Sequence, residues 1–327
     1  MKIYTVSKGS TGFDGLKRGE RDEPKPGPGQ ALVRMRAASL NFRDLAIVSG
    51  KYVRGPVTQD TIPLSDGAGE VVAVGAGVRT IKVGDRVVAT FNQGPNSLGS
   101  PLDGVLTEFA AFDENGLLKI PAHMSFDDAA TLPCAGVTAW HALMYGKILR
   151  AGETVLTLGT GGVSIIALQL AKIAGARVII TSSSDEKLER ARKLGADETI
   201  NYKQHPDWEK RVLELTDGQG ADHVVELGGV GTLPHSYQAV GVGGEIALIG
   251  VITRPEGDLA PYPLMFKGAT LRGIFVGARE HFEGLMRAVT VNQLKPVIDR
   301  TFSFDEAVEA YKHLKLAKHF GKVVIKI

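Results

Sequence analysis

The chain has 327 residues, which is enough for two domains that each bury a core of their own. Hydrophobic residues make up 43% and charged residues 23%, a balance that excludes a disordered or fibrous chain. The 38 basic and 36 acidic residues leave a formal charge of only +2, and no concentrated basic run is present, which argues against a nucleic-acid or membrane-surface partner.

Cys134 is the only cysteine of the sequence. This count excludes an intramolecular disulfide and any zinc site that needs two or more thiolates from one chain. Residues Met1–Tyr4 open directly into a strand-like segment without a signal-peptide core, and no apolar run approaches the ~18 residues of a membrane span. We therefore expect a cytoplasmic protein with no membrane partner.

The first region of the chain, residues 1–125, is predicted to be rich in β-structure. Glycine and proline clusters, notably residues 24–29, separate short runs of strand-forming residues. The predicted strands are Ala31–Ala37, Ala68–Val74, Asp85–Thr90 and Gly104–Phe112. Short strands joined by such turns favour a barrel or a sandwich over a parallel sheet.

From Asp127 to about Val251, strand-like segments alternate with helical ones. The predicted strands are Thr154–Leu158, Arg177–Thr181, Glu198–Tyr202, His223–Leu227 and Glu245–Gly250, with helices over Val163–Ala174 and Glu186–Leu194 between the first three. Gly195 stands where the second of these helices should end. This alternation predicts a doubly wound parallel sheet.

The last part of the chain is predicted to return to the first domain. A strand at Leu271–Val276 would close the parallel sheet at one edge, and the chain ends in a strand at Lys322–Ile327. Because this tail has no core of its own, we expect it to complete the first domain. The predicted domains are therefore residues 1–125 with 268–327, and residues 126–267.

The most informative motif is a glycine-rich turn, Gly159-Thr160-Gly161-Gly162-Val163. It directly follows an apolar predicted strand and directly opens a predicted helix, as a dinucleotide-binding loop requires. Gly159 permits the tight turn, and Gly161 lets a pyrophosphate approach free N–H groups at the positive end of the helix. A glycine-rich turn without a ligand is the alternative interpretation.

The end of the second parallel strand distinguishes the two nicotinamide cofactors, because an acidic residue there binds a ribose 2′-hydroxyl and repels a 2′-phosphate. The chain has Ser182 and Ser183 at this place, and Lys187 adds a positive charge nearby. This pattern predicts NADP(H) rather than NAD(H). Ser183 and Glu186 also fit a capping box, with Lys187 on a solvated helix face, and the two interpretations can coexist.

Segments typical of one enzyme family occur in order along nearly the whole chain. They are residues 41–44 (NFRD), 65–69 (SDGAG), 131–133 (TLP), 138–140 (TAW), the glycine-rich turn, 194–197 (LGAD), 201–202 (NY) and 321–323 (GKV). Together they resemble the medium-chain dehydrogenase/reductase superfamily, and most closely its zinc-free quinone oxidoreductase branch. The resemblance implies an α/β fold with a GroES-like β-barrel catalytic domain and a Rossmann domain. It also implies a homodimer, in which the exposed edge strand Leu271–Val276 would be paired.

The resemblance identifies the positions at which zinc-dependent members bind their catalytic metal. The first position has Asn41, the second Ser65 and the third Cys134. Two of three ligands are thus missing, although Asp44 and Asp66 remain beside them. No two histidines lie three or four residues apart, so none offers a replacement pair on a helix. We therefore predict no metal site, a structural role for Asp44, and a buried, unreactive Cys134.

Carried over residue by residue, the resemblance implies further cofactor contacts. Asn41 and Thr138 would lie near the nicotinamide and its ribose, and Tyr202 near the adenosine 2′-phosphate. The backbone at Gly250-Val251 and at Phe275-Val276 would hold the nicotinamide and its carboxamide. Other interpretations stay open, since Thr138 could cap a helix, Tyr202 could pack at a strand end, and Phe275 could belong to the core.

Without zinc, no strong Lewis acid would polarise an alcohol, so quinones and α,β-unsaturated carbonyls become the expected substrates. Charge that develops on the substrate oxygen needs hydrogen-bond donors, for which Tyr52 is the first candidate and Asn41 the second. Tyr52 could instead merely line a loop. We predict an NADPH-dependent oxidoreductase that transfers hydride to such substrates. The alternatives are an alcohol dehydrogenase or carbonyl reductase for small alcohols or aldehydes, and a non-catalytic NADPH-binding protein.

Overall fold

The computed structural model describes residues 1–250 and 259–327, which form two compact units. One unit consists of Met1–Ala135 and Ala278–Ile327, and the other of Gly136–Gly277. Each boundary between these units falls later in the chain than the corresponding predicted domain boundary. Compact units are not the same as domains, so the predicted domain boundaries stay a prediction. Every helix within residues 1–250 and 259–327 is too short or too polar to cross a lipid bilayer.

The described residues form strands and helices in the following chain order. The strands are β1 (Lys2–Val6), β2 (Leu16–Glu20), β3 (Gln30–Leu40), β4 (Asp66–Val74), β5 (Arg86–Ala89), β6 (Asn92–Gln93), β7 (Asn96–Ser97), β8 (Phe109–Asp113), β9 (Leu117–Lys119), β10 (Thr154–Thr157), β11 (Arg177–Ser182), β12 (Glu198–Asn201), β13 (Ala221–Glu226), β14 (Val240–Leu248), β15 (Thr270–Gly273), β16 (Ile298–Ser303) and β17 (Lys322–Lys326). The α-helices are α1 (Phe42–Val48), α2 (Phe126–Ala130), α3 (Val137–Met144), α4 (Gly162–Ile173), α5 (Asp185–Lys193), α6 (Trp208–Leu215), α7 (Leu233–Ala239), α8 (Tyr262–Lys267), α9 (Arg279–Val291) and α10 (Ala307–Lys315).

The main sheet of the first unit is built around β3. One edge of β3 pairs with β4, while its other edge pairs first with β8 and then with the C-terminal strand β17. The complete order is β16-β17-β3-β4-β5-β9, with β8 branching from β3. Because β8 and β17 share one edge of β3, the sheet branches at this strand. The strand pairings among the described residues do not close into the predicted barrel.

Three of the strands predicted in the first region are confirmed, and the fourth is wrong in its first half. The segment predicted as Gly104–Phe112 becomes a strand only at Phe109. The N–H groups of Gly104 and Val105 donate to the carbonyls of Ile62 and Pro63, outside any named ladder. A Cβ at Gly104 would lie 2.0 Å from a carbonyl oxygen, so this stretch runs too close to its neighbour for a regular strand.

The second unit contains a six-stranded sheet of order β12-β11-β10-β13-β14-β15 in which all pairs are parallel. This confirms the predicted doubly wound sheet, and β15 lies at its edge as expected. The strand order reverses between the two neighbours of β10, namely β11 and β13. In sheets of this kind, ligands bind at the carboxyl ends of the strands beside this reversal.

The helices that follow β10 and β11 show how the sequence fixes this edge of the sheet. Helix α4 buries seven of its twelve residues, consistent with apolar side chains around most of its surface. Ser164, where a third glycine is usual, is buried and its hydroxyl donates to the carbonyl of Leu158 at 2.7 Å. Gly195 has a φ of +100°, which confirms it as the residue that ends α5.

Candidate active site

The glycine-rich turn lies between the end of β10 and the start of α4. Gly159 has a φ of +75°, a conformation in which a residue with a Cβ is strained. Thr160 turns a buried side chain inward, and a Cβ placed on Gly161 would meet no described atom within 4 Å. The first N–H groups of a helix, here those of Gly162 and Val163, have no partner within the helix. The turn therefore offers open space and backbone donors to an anion.

The predicted phosphate-binding serines lie where β11 ends. Helix α5 begins at Asp185, and its N-cap is Ser184, whose hydroxyl accepts from the N–H of Lys187 at 3.4 Å. The capping role considered for Ser183 is therefore wrong by one residue, because the helix starts later than that interpretation requires. Ser182 is the last residue of β11, so both serines precede the cap.

Tyr202 is placed beside these serines by the parallel pairing of β11 with β12. Its N–H donates to the carbonyl of Ser182 at 3.0 Å. The side chain of Tyr202 is 41% exposed, so it does not pack into the core at the strand end. The structure thus brings the backbones of Ser182 and Tyr202 together, as a shared phosphate site would require.

A cavity of about 410 Å³ lies at the carboxyl ends of β13, β14 and β15. Gly250 and Phe275, both predicted to hold the nicotinamide end of the cofactor, line it together with other glycine and apolar residues. Phe275 is 49% exposed, so the alternative interpretation as a core residue is wrong. Val251 lies outside the described residues.

Glu226, the last residue of β13, organises one wall of this cavity. Its Oε1 accepts hydrogen bonds from the N–H groups of Gly228 at 2.8 Å and Gly229 at 3.0 Å and from the hydroxyl of Thr232 at 2.6 Å. Its Oε2 accepts from the hydroxyl of Ser236. A fully buried carboxylate is tolerated only when it is hydrogen-bonded in this way. Sequence reasoning missed Glu226, and its one signal was an acidic residue closing an apolar strand.

Thr138 and Val276 are connected through helix α3. Thr138 is buried in the first turn of α3, whose N-cap is Gly136, so Thr138 does not cap the helix. His141, one turn further on the same face, donates from Nδ1 to the carbonyl of Val276 at 2.8 Å. Val276, three residues beyond the end of β15, adopts a φ of +50°. Their predicted cofactor contacts stay a prediction.

In the first unit, Asn41 forms the N-cap of α1 and is held by hydrogen bonds of both its backbone and its side chain. Its N–H donates to Oδ2 of Asp44 at 2.7 Å. Its Oδ1 accepts from Nζ of Lys322 at 2.6 Å, and the same ammonium donates to the carbonyl of Leu40 at 2.7 Å. Its Nδ2 is buried and has no hydrogen-bond partner among the described residues.

Asp44 has the structural role expected for it. Beyond its bond to Asn41, its Oδ1 lies 3.9 Å from a guanidinium nitrogen of Arg43. Desolvation raises the pKa of the buried carboxyl from 3.8 to about 6, although Arg43 and the N–H of Asn41 oppose the shift. The cost of burial thus exceeds the stabilisation that its partners give to the charge.

Tyr52 lies in the loop after α1 and packs in a cluster with Arg43. The Arg43 guanidinium lies 5.1 Å from the centre of the Tyr52 ring and 4.8 Å from that of Phe91. Its Nε donates to the Tyr52 hydroxyl at 3.5 Å, and another nitrogen donates to the carbonyl of Leu98 at 2.9 Å. Because an arginine can only donate, this contact does not use the proton of the Tyr52 hydroxyl. Sequence reasoning missed Arg43.

Family models match large parts of both units. The model described as an alcohol dehydrogenase GroES-like domain matches residues 27–122, and the one described as a zinc-binding dehydrogenase matches residues 162–290. The chain belongs to the medium-chain dehydrogenase/reductase superfamily. The GroES-like and Rossmann-like parts of the predicted fold are thereby confirmed.

Individual members of the superfamily are similar over nearly their full length. Zinc-type alcohol dehydrogenase-like protein C1773.06c of Schizosaccharomyces pombe is 42% identical over 99% of each chain, and the quinone oxidoreductase of Pseudomonas aeruginosa is 33% identical over 92% of each. The crystal structure of a putative alcohol dehydrogenase from Sinorhizobium meliloti is 41% identical, with a TM-score of 0.92 and coverage of 100% of this chain and 99% of that one. A structure of an NAD-dependent alcohol dehydrogenase is 34% identical, with a TM-score of 0.93 over 100% of both chains. The protein is therefore an oxidoreductase of this superfamily.

The medium-chain superfamily has zinc-dependent members, and the residues at the three ligand positions of this chain do not fit zinc. Asn41 presents its oxygen to the ammonium of Lys322, whose charge would repel a second cation there. The hydroxyl of Ser65 donates to Oδ1 of Asp66 at 2.6 Å, and Oδ2 of the same carboxyl group accepts from the N–H of Cys134 at 3.0 Å. Cys134 is only partly buried, less than the sequence predicted, and it is the one thiol of the sequence. Within residues 1–250 and 259–327, no group of three or more potential ligands could hold a metal ion.

Proposed function

We propose that this chain is an NADP(H)-dependent oxidoreductase that transfers hydride to a quinone or an α,β-unsaturated carbonyl without a catalytic metal. One contrast supports the proposal. The glycine-rich turn keeps the geometry of a dinucleotide loop, whereas an ammonium engages the first of the three positions at which relatives bind zinc. In this proposal the chain binds a nicotinamide cofactor, as the superfamily does, but uses no zinc ion as a Lewis acid.

The assignment of the phosphorylated cofactor rests on the end of β11. Ser182 and Ser183 precede the α5 cap, and Lys187 follows it by one turn. The nearest acidic residue, Asp185, already accepts from the amides of Asn201 at 2.7 Å and Gln204 at 3.0 Å. A carboxylate held in this way is a poor partner for a ribose 2′-hydroxyl, which favours NADP(H) over NAD(H).

When bound, a reduced nicotinamide supplies the hydride. This chain's residues then have to bind the cofactor and stabilise the negative charge that appears on the substrate oxygen. The turn at Gly159–Val163 would bind the pyrophosphate, and the cavity with Gly250 and Phe275 would receive the nicotinamide end. Tyr52 and Asn41 carry the candidate donors to the substrate oxygen. Water is the proposed source of the final proton.

Purified protein tests this function through the ultraviolet absorbance of the reduced cofactor. We expect oxidation of NADPH in the presence of an ortho-quinone or an enone, slower oxidation of NADH, and rates unchanged by a strong chelator. Elemental analysis should find far less than one zinc per chain. Stoichiometric zinc with turnover that chelation abolishes would identify an alcohol dehydrogenase instead. Tight NADPH binding without turnover on a broad carbonyl panel would identify a non-catalytic binding protein.

We also propose that two copies associate through the edge of the parallel sheet. Leu271 on the edge strand β15 is 37% exposed, and Met265 and Phe266 on the preceding helix are 66% and 80% exposed. An exposed strand edge beside apolar side chains is commonly covered by a partner. Light scattering should give the mass of a dimer, and Leu271→Lys should shift it toward that of a monomer.

A further inference from the structure

We infer that Lys322 is a positioning residue for the proposed reaction. Its ammonium fixes the amide of Asn41 so that Nδ2 donates a hydrogen bond to the substrate oxygen that becomes negatively charged. The inference rests on the proposed function for the identity of the substrate. The orientation of the amide is a property of this chain alone and can be tested separately.

The hydrogen-bond network fixes which way the Asn41 amide faces. Here the network leaves no choice, because an ammonium has three donors and no acceptor. The atom of Asn41 that lies 2.6 Å from Nζ of Lys322 must therefore be the oxygen.

With Oδ1 fixed on Lys322, Nδ2 points away from the ammonium. It is buried and has no partner in the part of the chain that the structure describes. A buried donor without an acceptor is costly, so it calls for an explanation such as a ligand that completes it. An acceptor oxygen of a bound molecule would do so.

Asn41 and Lys322 are both held in place through the backbone. Asn41 directly follows β3 and its N–H is bonded to Asp44, while Lys322 opens β17. The two strands pair antiparallel, with Val323 opposite Leu40. The ammonium also donates to the carbonyl of Leu40, so it is held by two acceptors rather than one. A donor supported in this way needs little reorganisation during the reaction.

The chemistry requires such a donor. An enone accepts hydride at its β-carbon, its π electrons move toward the carbonyl oxygen, and the resulting enolate later takes a proton from water. Oxidation of the reduced nicotinamide balances the two electrons. A quinone reduced by hydride likewise gains negative charge on oxygen. Because the ammonium polarises the Asn41 amide, its N–H should be a stronger donor than that of an amide in water.

Substitutions that separate the two atoms of the amide provide the sharpest test. Asn41→Asp keeps an oxygen for Lys322 but replaces the donor with a second acceptor. We expect kcat to fall about 100-fold with no loss of thermal stability. Lys322→Met should lower kcat about tenfold in the native background and not at all in an Asn41→Ala background. Lys326→Met, which removes an exposed lysine from the same strand, is the matched control and should leave kcat unchanged.

Three results would overturn the inference. Losses from Lys322→Met and Asn41→Ala that simply multiply would show that the residues act independently. A fall in melting temperature with unchanged kcat would show a purely structural lysine. Weaker NADPH binding by Asn41→Asp at unchanged kcat would show that Nδ2 serves a cofactor hydroxyl instead of the substrate.

An NMR measurement separates failure of this inference from failure of the proposed function. The side-chain amide signal of Asn41, identified by its loss in Asn41→Asp, should shift in Lys322→Met even if the native enzyme turns over no quinone or enone. Turnover by the native enzyme without any such shift would leave the proposed function intact and refute the role of Lys322.

Discussion

The glycine-rich turn of the second unit and the Asn41–Lys322 cluster of the first unit, the two sites proposed above, differ in which atoms of the chain they would present to a ligand. The turn presents backbone N–H groups and needs the absence of side chains at Gly159 and Gly161. The cluster depends on side-chain atoms that meet across 281 residues of sequence. A backbone site is therefore visible in a short motif, whereas a side-chain site becomes visible only when the strands that carry it are paired.

The largest expected effect is on NADPH binding at the glycine-rich turn. It tests whether position 161 is a glycine because a larger side chain would block the ligand. Gly161 has a φ of −79°, which any residue adopts, and a Cβ there meets no described atom within 4 Å. Gly161→Val should therefore leave the fold intact but weaken NADPH binding about 100-fold, because its branched side chain would fill the space for the pyrophosphate. Calorimetric titration and thermal unfolding measure the two quantities.

Gly12 provides the matched control for that substitution. It is extended, with a φ of −179°, and a Cβ there also meets nothing within 4 Å, but it belongs to the first unit. Gly12→Val should change neither stability nor NADPH affinity. If Gly161→Val bound NADPH as tightly as the native protein, the glycine-rich turn would not be a ligand site. The comparison of the turn with the Asn41–Lys322 cluster would then no longer hold.

A smaller effect on cofactor binding is expected from Lys187, a side chain of the second unit. Lys187→Glu places a negative charge one turn into α5, where we propose that the 2′-phosphate binds. The ratio of NADPH to NADH affinity should fall about tenfold, chiefly through weaker NADPH binding. Lys193→Glu makes the same charge change at the far end of the helix and should leave the ratio unaltered. Equal losses for both cofactors from Lys187→Glu would instead indicate damage to the helix.

The sequence predicted those features that depend on local pattern. The parallel strands, the end of α5 at Gly195 and the glycine-rich turn follow from periodicity and glycine placement within a few residues. The strand predicted at Gly104–Phe112 failed because loop carbonyls take the hydrogen bonds of its first residues, which no local pattern reveals.

The candidate site was predicted only in part for the same reason. Asn41 was predicted through the resemblance and Tyr52 as a hydrogen-bond donor to the substrate oxygen, but the residues that hold them were not predicted. Lys322 stood in a recognised segment without a role, because its partner is 281 residues away in sequence. Arg43 stacks on Tyr52 and Phe91, contacts that depend on the tertiary fold and leave no mark on the local sequence.

The smallest expected effect concerns the buried charge beside Asn41. The pKa of Asp44 lies at about 6 in the folded chain and at 3.8 in the unfolded one, so the folded state binds the proton more tightly. Its stabilising contribution is full below the unfolded value and is lost as the pH rises through about 6. The charges that face it are Arg43 and Lys322, which favour ionisation, and Asp66, which opposes it. The nearby Tyr311 hydroxyl has its own pKa raised, mainly by burial.

Asp44→Asn should remove this dependence. Between about pH 8 and pH 5 the native protein should gain about 1 kcal/mol of unfolding free energy that the variant does not gain, as measured by urea denaturation at each pH. The absolute stability of the variant is not the readout, because Arg43 loses its carboxylate partner. Asp207→Asn is the control, since hydrogen bonding to Lys210 lowers the pKa of that exposed carboxyl, away from this range. If the unfolding free energy of Asp44→Asn depended on pH as that of the native protein does, Asp44 would not be a buried charge that its partners fail to compensate. The cluster around Asn41 would then not differ from the glycine-rich turn in its electrostatics.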